Sequence, residues 1–128
     1  MMKEFNSLEE IEKYYDKNTN TYVFKKNGLY IDLVKFNFDL TVRANIDASV
    51  IDAFNIIAWN INAGNIKAHD IYADDIFAFN IIANDISYYG VCVAYENIKC
   101  RSIEGRRKNA KHFVLDGKLE IEENEKEN

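Results

Sequence analysis

Carboxylates are the most numerous groups in the middle of the chain that could do chemistry. Residues 44–90 contain six aspartates and one lysine, Lys67, so their net charge is −5. Carboxylates spaced like the phosphates of duplex DNA could occupy a basic nucleic-acid groove on a partner protein. The simpler explanation is that aspartate, like asparagine, suits chain corners. The six residues are Asp47, Asp52, Asp70, Asp74, Asp75 and Asp85.

A basic cluster follows in residues 91–118, whose net charge is +4. Contact with phosphates would make the protein a nucleic-acid binder through this patch. The alternative is a solvated turn, because the aromatic platforms of single-strand binders are not evident here. The cluster consists of Arg101, Arg106, Arg107, Lys108 and Lys111.

No combination of residues indicates an enzyme. The two histidines, His69 and His112, are not at metal-binding spacing, and the chain has no Gly-rich phosphate loop and no Gly-x-Ser-x-Gly motif. Cys92 and Cys100 are too few for a disulfide framework and do not form a Cys-x-x-Cys pair. We therefore predict a non-catalytic protein without metal or cofactor, with two reduced thiols.

The chain shows no sign of a membrane segment or a signal peptide. No apolar run approaches the roughly 20 residues that a membrane-spanning helix needs, and residues 1–5 lack the apolar core of a secretory signal. These features predict a cytoplasmic protein of one domain.

A five-residue repeat must position all of these groups. Alanine follows eight of the nine repeat isoleucines by two residues, from Ala48 to Ala83, and the residue before each isoleucine is Asn or Asp at every unit except Val50. Because Ile and Ala are two apart, both face the same side of a strand, and the residue between them faces out. Asn and Asp tolerate left-handed backbone and can bond their own main chain, so we expect them at corners. The isoleucines are Ile46, Ile51, Ile56, Ile61, Ile66, Ile71, Ile76, Ile81 and Ile86, and Val91 is expected in the next slot.

Stacked coils of such units bury a continuous apolar column, which predicts an all-β solenoid over residues 44–105. Residues 1–43 are predicted to cap its first coil with a short helix over Leu8–Tyr15, a hairpin with an Asn27-Gly28 turn, and a long half-buried strand over Tyr30–Val42. Residues 106–128 are predicted to form a closing hairpin around Asp116-Gly117 and an acidic, solvated tail from Glu122.

The repeat resembles pentapeptide-repeat proteins, whose fold is a four-sided, right-handed β-helix with about twenty residues per coil. That resemblance implies a quadrilateral coil and about three coils. The small residue here follows the large one instead of preceding it, so a three-sided coil stays open. The segments 86–107 and 109–117 are also similar to small uncharacterised proteins of phages and prophages of low-GC Gram-positive bacteria.

Twenty residues per coil would stack Trp59 over Phe79 and Ile57 over Phe77, with Ile82 and Phe54 nearby. These outward residues would form an apolar stripe for a partner or for self-association, unless the N-terminal segment covers it. The predicted partner-binding residues are Phe54, Ile57, Trp59, Phe77 and Phe79.

These observations favour a binding protein, encoded by a phage, that engages and inhibits a host macromolecule. The target would be a nucleic-acid enzyme or a defence system, blocked sterically or by DNA mimicry, as some pentapeptide-repeat proteins do with topoisomerases. A self-associating structural module, such as a homodimer, and a nucleic-acid binder are the alternatives.

Overall fold

The computed structural model describes residues 2–122, which form one parallel β-solenoid of about five turns. Residues 123–128 of the predicted acidic tail lie outside the described residues. A 3-10 helix spans Leu8–Tyr14. The strands before the repeat are β1 (Met2–Phe5), β2 (Tyr15–Asp16), β3 (Thr21–Val23), β4 (Lys25–Lys26), β5 (Leu29–Tyr30), β6 (Leu33–Phe36) and β7 (Leu40–Thr41). The later strands are β8 (Asn45–Asp52), β9 (Asn55–Ile57), β10 (Asn60–Lys67), β11 (Asp70–Ile82), β12 (Asp85–Cys100), β13 (Ser102–Gly105), β14 (Lys111–Val114) and β15 (Leu119–Ile121).

Each turn of the central repeat contains fifteen residues, and the turns that follow it are longer, which corrects the expected quadrilateral coil. Ile61 pairs in parallel register with Ile46 on one side and with Ile76 on the other, and both are 15 residues away. A five-residue side and a fifteen-residue turn leave three isoleucine columns and therefore three sides. The turns outnumber the expected three because the central turns are shorter than twenty residues and because strands outside residues 44–105 join the ladder.

The predicted inward column is confirmed by burial. None of the nine repeat isoleucines is more than 1% exposed, and none of the eight repeat alanines is more than 9% exposed. Burying an isoleucine contributes about 2–3 kcal/mol, so the inward isoleucines together supply most of the apolar stabilisation of the repeat.

Two single-residue insertions change the expected register after Ile86. Val91 lies opposite the corner residue Asp75, and Cys92 takes the inward position opposite Ile76, so the expected inward place of Val91 is wrong. A second extra residue precedes Asn97, which lies opposite Asn80. The extra residues sit at corners, where the chain can lengthen without moving the inward column.

The corner Asn and Asp residues bond the next turn instead of adopting left-handed backbone. Asn45 Oδ1 accepts a hydrogen bond from the Asn60 N–H at 3.1 Å. Asn80 Nδ2 donates to Asn65 Oδ1 at 3.0 Å, which begins a side-chain ladder along one corner. Among residues 2–122, positive φ outside glycine occurs only at Asn20, Asn27 and Asn109, none of them in the repeat. The corner preference therefore reflects bonding between turns.

The N-terminal segment contains the predicted helix and hairpin. The helix is of the 3-10 type, and Glu10 Oε1 accepts from the Asn6 N–H at 2.8 Å, whereas Ser7 makes no side-chain cap bond. Strands β4 and β5 pair antiparallel around Asn27 and Gly28, whose φ values of 55° and 80° fit the predicted type I′ turn.

The strand expected over residues 30–42 is two strands, β6 and β7, separated by a corner. Val34 lies opposite Ile51 and Leu40 lies opposite Ile56, so each strand extends a different isoleucine column. Tyr22 in β3 extends the remaining column opposite Ile46. The segment before the repeat thus adds a further turn to the solenoid.

The expected C-terminal hairpin is absent from the described chain, because β14 and β15 do not pair with each other. Both strands add in parallel to β12, with His112 opposite Cys92 and Leu119 opposite Ile98. Gly117 is required by close approach, since a Cβ there would overlap the Glu96 carbonyl group. Asp116-Gly117 is therefore a corner of a further turn.

Candidate functional site

The outward side chains form three faces, each defined by the row of residues that follows an isoleucine column. Face 1 carries Asp47, Asn62, Phe77, Val93 and Phe113 in register. Face 2 carries Lys35, Asp52, Lys67, Ile82, Lys99 and Glu120. Face 3 carries Thr41, Ile57, Tyr72, Ser87 and Glu104.

The C-terminal half of face 1 is a contiguous apolar surface, which we call the apolar patch. A second row beside the first includes Phe79 and Tyr95, whose rings are 5.7 Å apart. Leu115 extends this row, and its backbone N–H donates to the Ala94 carbonyl at 3.0 Å. The patch consists of Phe77, Phe79, Val93, Tyr95, Phe113 and Leu115, and all of these except the half-buried Val93 are 44–62% exposed.

A shallow groove of about 470 Å³ runs along face 1. The apolar patch forms one end, and Ser49 and Gly64 form a narrow, small-residue floor toward the other. Asp47 lies at this polar end, where it accepts a hydrogen bond from the Tyr30 hydroxyl at 2.8 Å. This hydrogen bond and burial raise the pKa of Tyr30. Face 1 therefore changes from acidic and polar to apolar along the solenoid axis.

The predicted apolar stripe does not exist as one surface. Because partners are fifteen residues apart, Ile57 lies opposite Tyr72 and not beside Phe77. Trp59 contacts the turn at Asp74, whose N–H donates to the Trp59 carbonyl at 2.6 Å. Phe54 lies on face 2, where its ring is 5.4 Å from that of His69. Only Phe77 and Phe79 of the five predicted residues belong to the apolar patch.

The predicted residues are nevertheless exposed, so the N-terminal segment does not cover them. Ile57, Trp59 and Phe54 are each between 44% and 47% exposed. Sequence reasoning missed Val93, Tyr95, Phe113 and Leu115, which follow the two insertions. Their alternation with the inward residues Cys92 and Ala94 was the available signal, but their place on face 1 depends on the register of the turns.

The six predicted acidic residues are divided among different faces and corners. Asp47 lies on face 1, Asp52 lies on face 2, and Asp74 lies on face 3 next to Trp59. The others occupy corners, where Asp75 accepts from the Val91 N–H at 2.9 Å and Asp70 from the Asp85 N–H at 3.3 Å. No single face presents these carboxylates as an array.

Asp85 is the most heavily engaged of the acidic residues. Its carboxylate accepts hydrogen bonds from the Ser102 hydroxyl at 2.8 Å and from Arg101 Nη2 at 3.2 Å. Face 2 shows a related pattern, since Lys67 lies opposite Asp52 and opposite charges on neighbouring strands stabilise a sheet. Much of the predicted acidic surface therefore has a structural role.

Arg106, from the predicted basic cluster, is bound to face 3. Its guanidinium lies 3.8 Å from the centre of the Tyr72 ring. It also donates to Ser87 Oγ and to the Ala73 carbonyl oxygen, both at 2.9 Å, and is 3.7 Å from Asp74. These contacts join three successive turns of the solenoid.

The rest of the basic cluster is less uniform. Arg101 pairs with Asp85, and Arg107 donates to the Gly90 carbonyl at 3.2 Å. Lys108 and Lys111 are exposed. The cluster is thus mainly a set of links between turns, and the two lysines are its most accessible charges.

Cys92, Cys100 and Tyr88 lie in the solenoid interior. Both thiols are free and at most 1% exposed, and burial raises the pKa of Cys92 to about 12. Tyr88 replaces a repeat alanine, and its hydroxyl is 2.8 Å from His112 Nδ1. Burial raises the pKa of Tyr88 as well. These buried groups fill the wider C-terminal turns and are shielded from reagents in solvent.

Within residues 2–122, no three or more His, Cys, Asp or Glu side chains come together as ligands for a metal ion. No helix in this part of the chain has the length and apolar character needed to cross a membrane. Comparison of the chain with protein-family models, curated proteins and solved structures finds no match.

Proposed function

We propose that the protein is a non-catalytic binding protein that docks on a partner protein through the apolar patch of face 1. One observation supports this most strongly: six apolar side chains lie together on a flat, strand-built surface, and five of them are about half exposed. Contiguous exposed apolar surface of this kind usually marks a contact site.

The patch is large enough for a specific complex. An aromatic side chain offers about 150–250 Å², and the four aromatic residues of the patch are about half exposed, so together with Leu115 and Val93 they contribute about 500–600 Å². An equal area on the partner gives roughly 1,100 Å² in total, near the lower end of specific protein–protein interfaces.

Charge favours a partner with a basic surface around its apolar contact. The chain has a net charge of −5, and Asp47 lies at the polar end of the face 1 groove. Long-range attraction would then increase the association rate, while the patch supplies affinity. A host nucleic-acid enzyme or a nucleic-acid-binding defence protein has such a surface. We favour steric block over DNA mimicry, because the carboxylates are divided among faces and corners.

The test compares Phe79→Asp on face 1 with Trp59→Asp on face 3. Both positions carry exposed aromatic residues, at 55% and 47%, and both variants add one negative charge. A partner captured from host lysate is purified and titrated against each variant. We expect Phe79→Asp to weaken binding at least tenfold and Trp59→Asp to change it less than twofold. Equal binding by the two variants, each shown to be folded, would refute the use of face 1.

Self-association through the same patch is the second candidate, since about 1,100 Å² also approaches what a dimer requires. Light scattering separates self-association from binding to a different partner. A dimer that is abolished by Phe79→Asp and retained by Trp59→Asp supports self-association, and a monomeric wild-type protein excludes it. Direct nucleic-acid binding is a weaker alternative, because it would rely mainly on Lys108 and Lys111.

We also propose a phage origin, cytoplasmic location in a bacterial host, and right-handed winding, from the sequence resemblances described above. Residues 1–43 would serve as the N-terminal cap, because open sheet edges are prone to pair with other chains.

A further inference from the structure

A second concave site lies at the N-terminal end of the molecule, and none of the apolar patch lines it. The cavity has a volume of about 560 Å³, within the usual range for small-molecule sites. It is formed where three segments meet: the start of β1, the end of the 3-10 helix, and the β4–β5 hairpin. This convergence brings four lysines to one cavity: Lys3, Lys13, Lys25 and Lys26.

No acidic residue among residues 2–122 lines this cavity, although the chain as a whole is acidic. Within residues 2–122, none of the four lysines forms an ion pair; the ion pairs there involve Lys99, Arg101 and Arg106. Within the described residues, carboxylates line the adjoining depressions, with Glu4, Glu9 and Glu10 on one side and Asp32 on the other. The cavity is therefore a local positive site on a negative protein.

The cavity wall includes apolar and aromatic residues as well as lysines. Ile31 is only 2% exposed, and the ring of Tyr14 packs against Phe5 at 5.5 Å and Phe24 at 5.3 Å. Lys13 Nζ lies 5.5 Å from the Tyr14 ring centre, so charge and aromatic surface are adjacent. A ligand with both an anionic group and a flat or apolar group would match this lining.

Two of the lysines lie on an arm that is independent of the main sheet. Strands β4 and β5 form their own two-stranded sheet, which has no ladder pairing with the solenoid strands. Lys25 Nζ is 4.6 Å from the Tyr30 ring centre within this hairpin. Leu29, beside the turn, is 74% exposed, more than any other large apolar residue described. The hairpin is therefore joined to the solenoid by contacts such as the hydrogen bond from the Tyr30 hydroxyl to Asp47, and not by strand pairing.

We propose that this cavity binds a phosphate ester that carries an apolar or aromatic group. Lysine is a common point-charge ligand for phosphate, and a phosphate monoester has about −1.5 to −2 charge at neutral pH. Four ammonium groups match one or more phosphates better than a single carboxylate. The source of the phosphate is either a soluble nucleotide or the headgroup of an anionic lipid, toward which the exposed Leu29 would point.

The first arm of the test uses calorimetry with ATP, AMP and inorganic phosphate at about 50 mM salt, where phosphate contacts are little screened. We expect ATP to bind more tightly than AMP, and AMP more tightly than inorganic phosphate. Lys13→Ala with Lys26→Ala should weaken ATP binding at least tenfold. The control pair, Lys67→Ala with Lys118→Ala, removes the same charge at exposed positions elsewhere and should change ATP binding less than twofold.

The second arm measures co-sedimentation with phosphatidylglycerol vesicles and with neutral phosphatidylcholine vesicles. The phosphate is assigned to a lipid headgroup if the protein binds the anionic vesicles but not the neutral ones. This binding should be lost in the Lys13/Lys26 pair and kept in the control pair. Failure to bind in both arms overturns the proposal, as does an equal loss of binding in both lysine pairs. None of these outcomes bears on the apolar patch, which is tested separately through Phe79.

Discussion

The neighbouring isoleucines Ile81 and Ile82 allow the inward and outward directions of the repeat to be tested within one strand. They lie side by side in β11, yet Ile81 is fully buried and Ile82 is 50% exposed. Ile81 lies between Ile66 and Ile98 in its column, whereas Ile82 lies between Lys67 and Lys99 on face 2. Replacement of each by alanine removes the same three carbons from opposite sides of the backbone.

The difference in stability follows from burial. Three carbons at about 0.8 kcal/mol each give about 2.4 kcal/mol for Ile81→Ala, and the cavity left between two turns raises the loss to about 3 kcal/mol. Ile82→Ala loses about half of the transfer term and leaves no cavity, because water fills the space, so its cost is about 1 kcal/mol. The change in strand propensity is shared by both variants and cancels in the comparison.

Urea unfolding, followed by the fluorescence of the single tryptophan and by circular dichroism, measures both losses. The expected difference of about 2 kcal/mol corresponds to a midpoint separation of about 1 M urea. Equal losses of stability in the two variants, or a larger loss for Ile82→Ala, would refute the inward orientation of Ile81. Because repeat turns contact mainly their neighbours, hydrogen exchange should show the largest effect of Ile81→Ala in β10 to β12.

Three further predictions concern single interactions. Burial raises the pKa of the Cys92 thiol to about 12 from 9.0, so the thiol of the unfolded chain ionises first as pH rises above 9. The free energy of unfolding should therefore fall by up to about 1.4 kcal/mol per pH unit until about pH 12. Urea unfolding at several pH values in this range should show a smaller fall per pH unit for Cys92→Ala. Arg106→Lys keeps the charge but loses the two hydrogen bonds and the stacking contact, so thermal unfolding should show a loss of about 1–2 kcal/mol, against less than about 0.5 kcal/mol for Lys108→Ala. Asn80→Ala interrupts the corner ladder and should cost about 1 kcal/mol by urea unfolding, a larger loss than that of Asn62→Ala on face 1.

Features that depend on near neighbours could be predicted from the sequence. Alternation along a strand places Ile and Ala on one side, so the inward set from Ile46 to Ile86 is correct. The Asn27-Gly28 pair determines its hairpin, because both central residues of a type I′ turn need positive φ. The helix over Leu8–Tyr14 is likewise indicated by its local pattern, although its 3-10 geometry is not.

The candidate sites depended on contacts between residues distant in sequence. A five-residue side is compatible with three or four sides per turn, and this choice decides which outward residues become neighbours. With four sides, Trp59 would lie beside Phe79; with three, Phe79 lies beside Tyr95. The cavity at the N-terminal end shows the same limit, since Lys3 and Lys26 line one cavity only through the tertiary structure.

The sequence by itself determined that this chain is an all-β solenoid with an isoleucine and alanine interior, because the side to which a residue points depends only on strand alternation. The tertiary structure alone decided the number of sides, the two corner insertions around Val91, and the composition of the apolar patch. The physical reason is that the corner angle and the register between turns are set by packing of the inward columns and by hydrogen bonds from one turn to the next, which join residues fifteen or more positions apart.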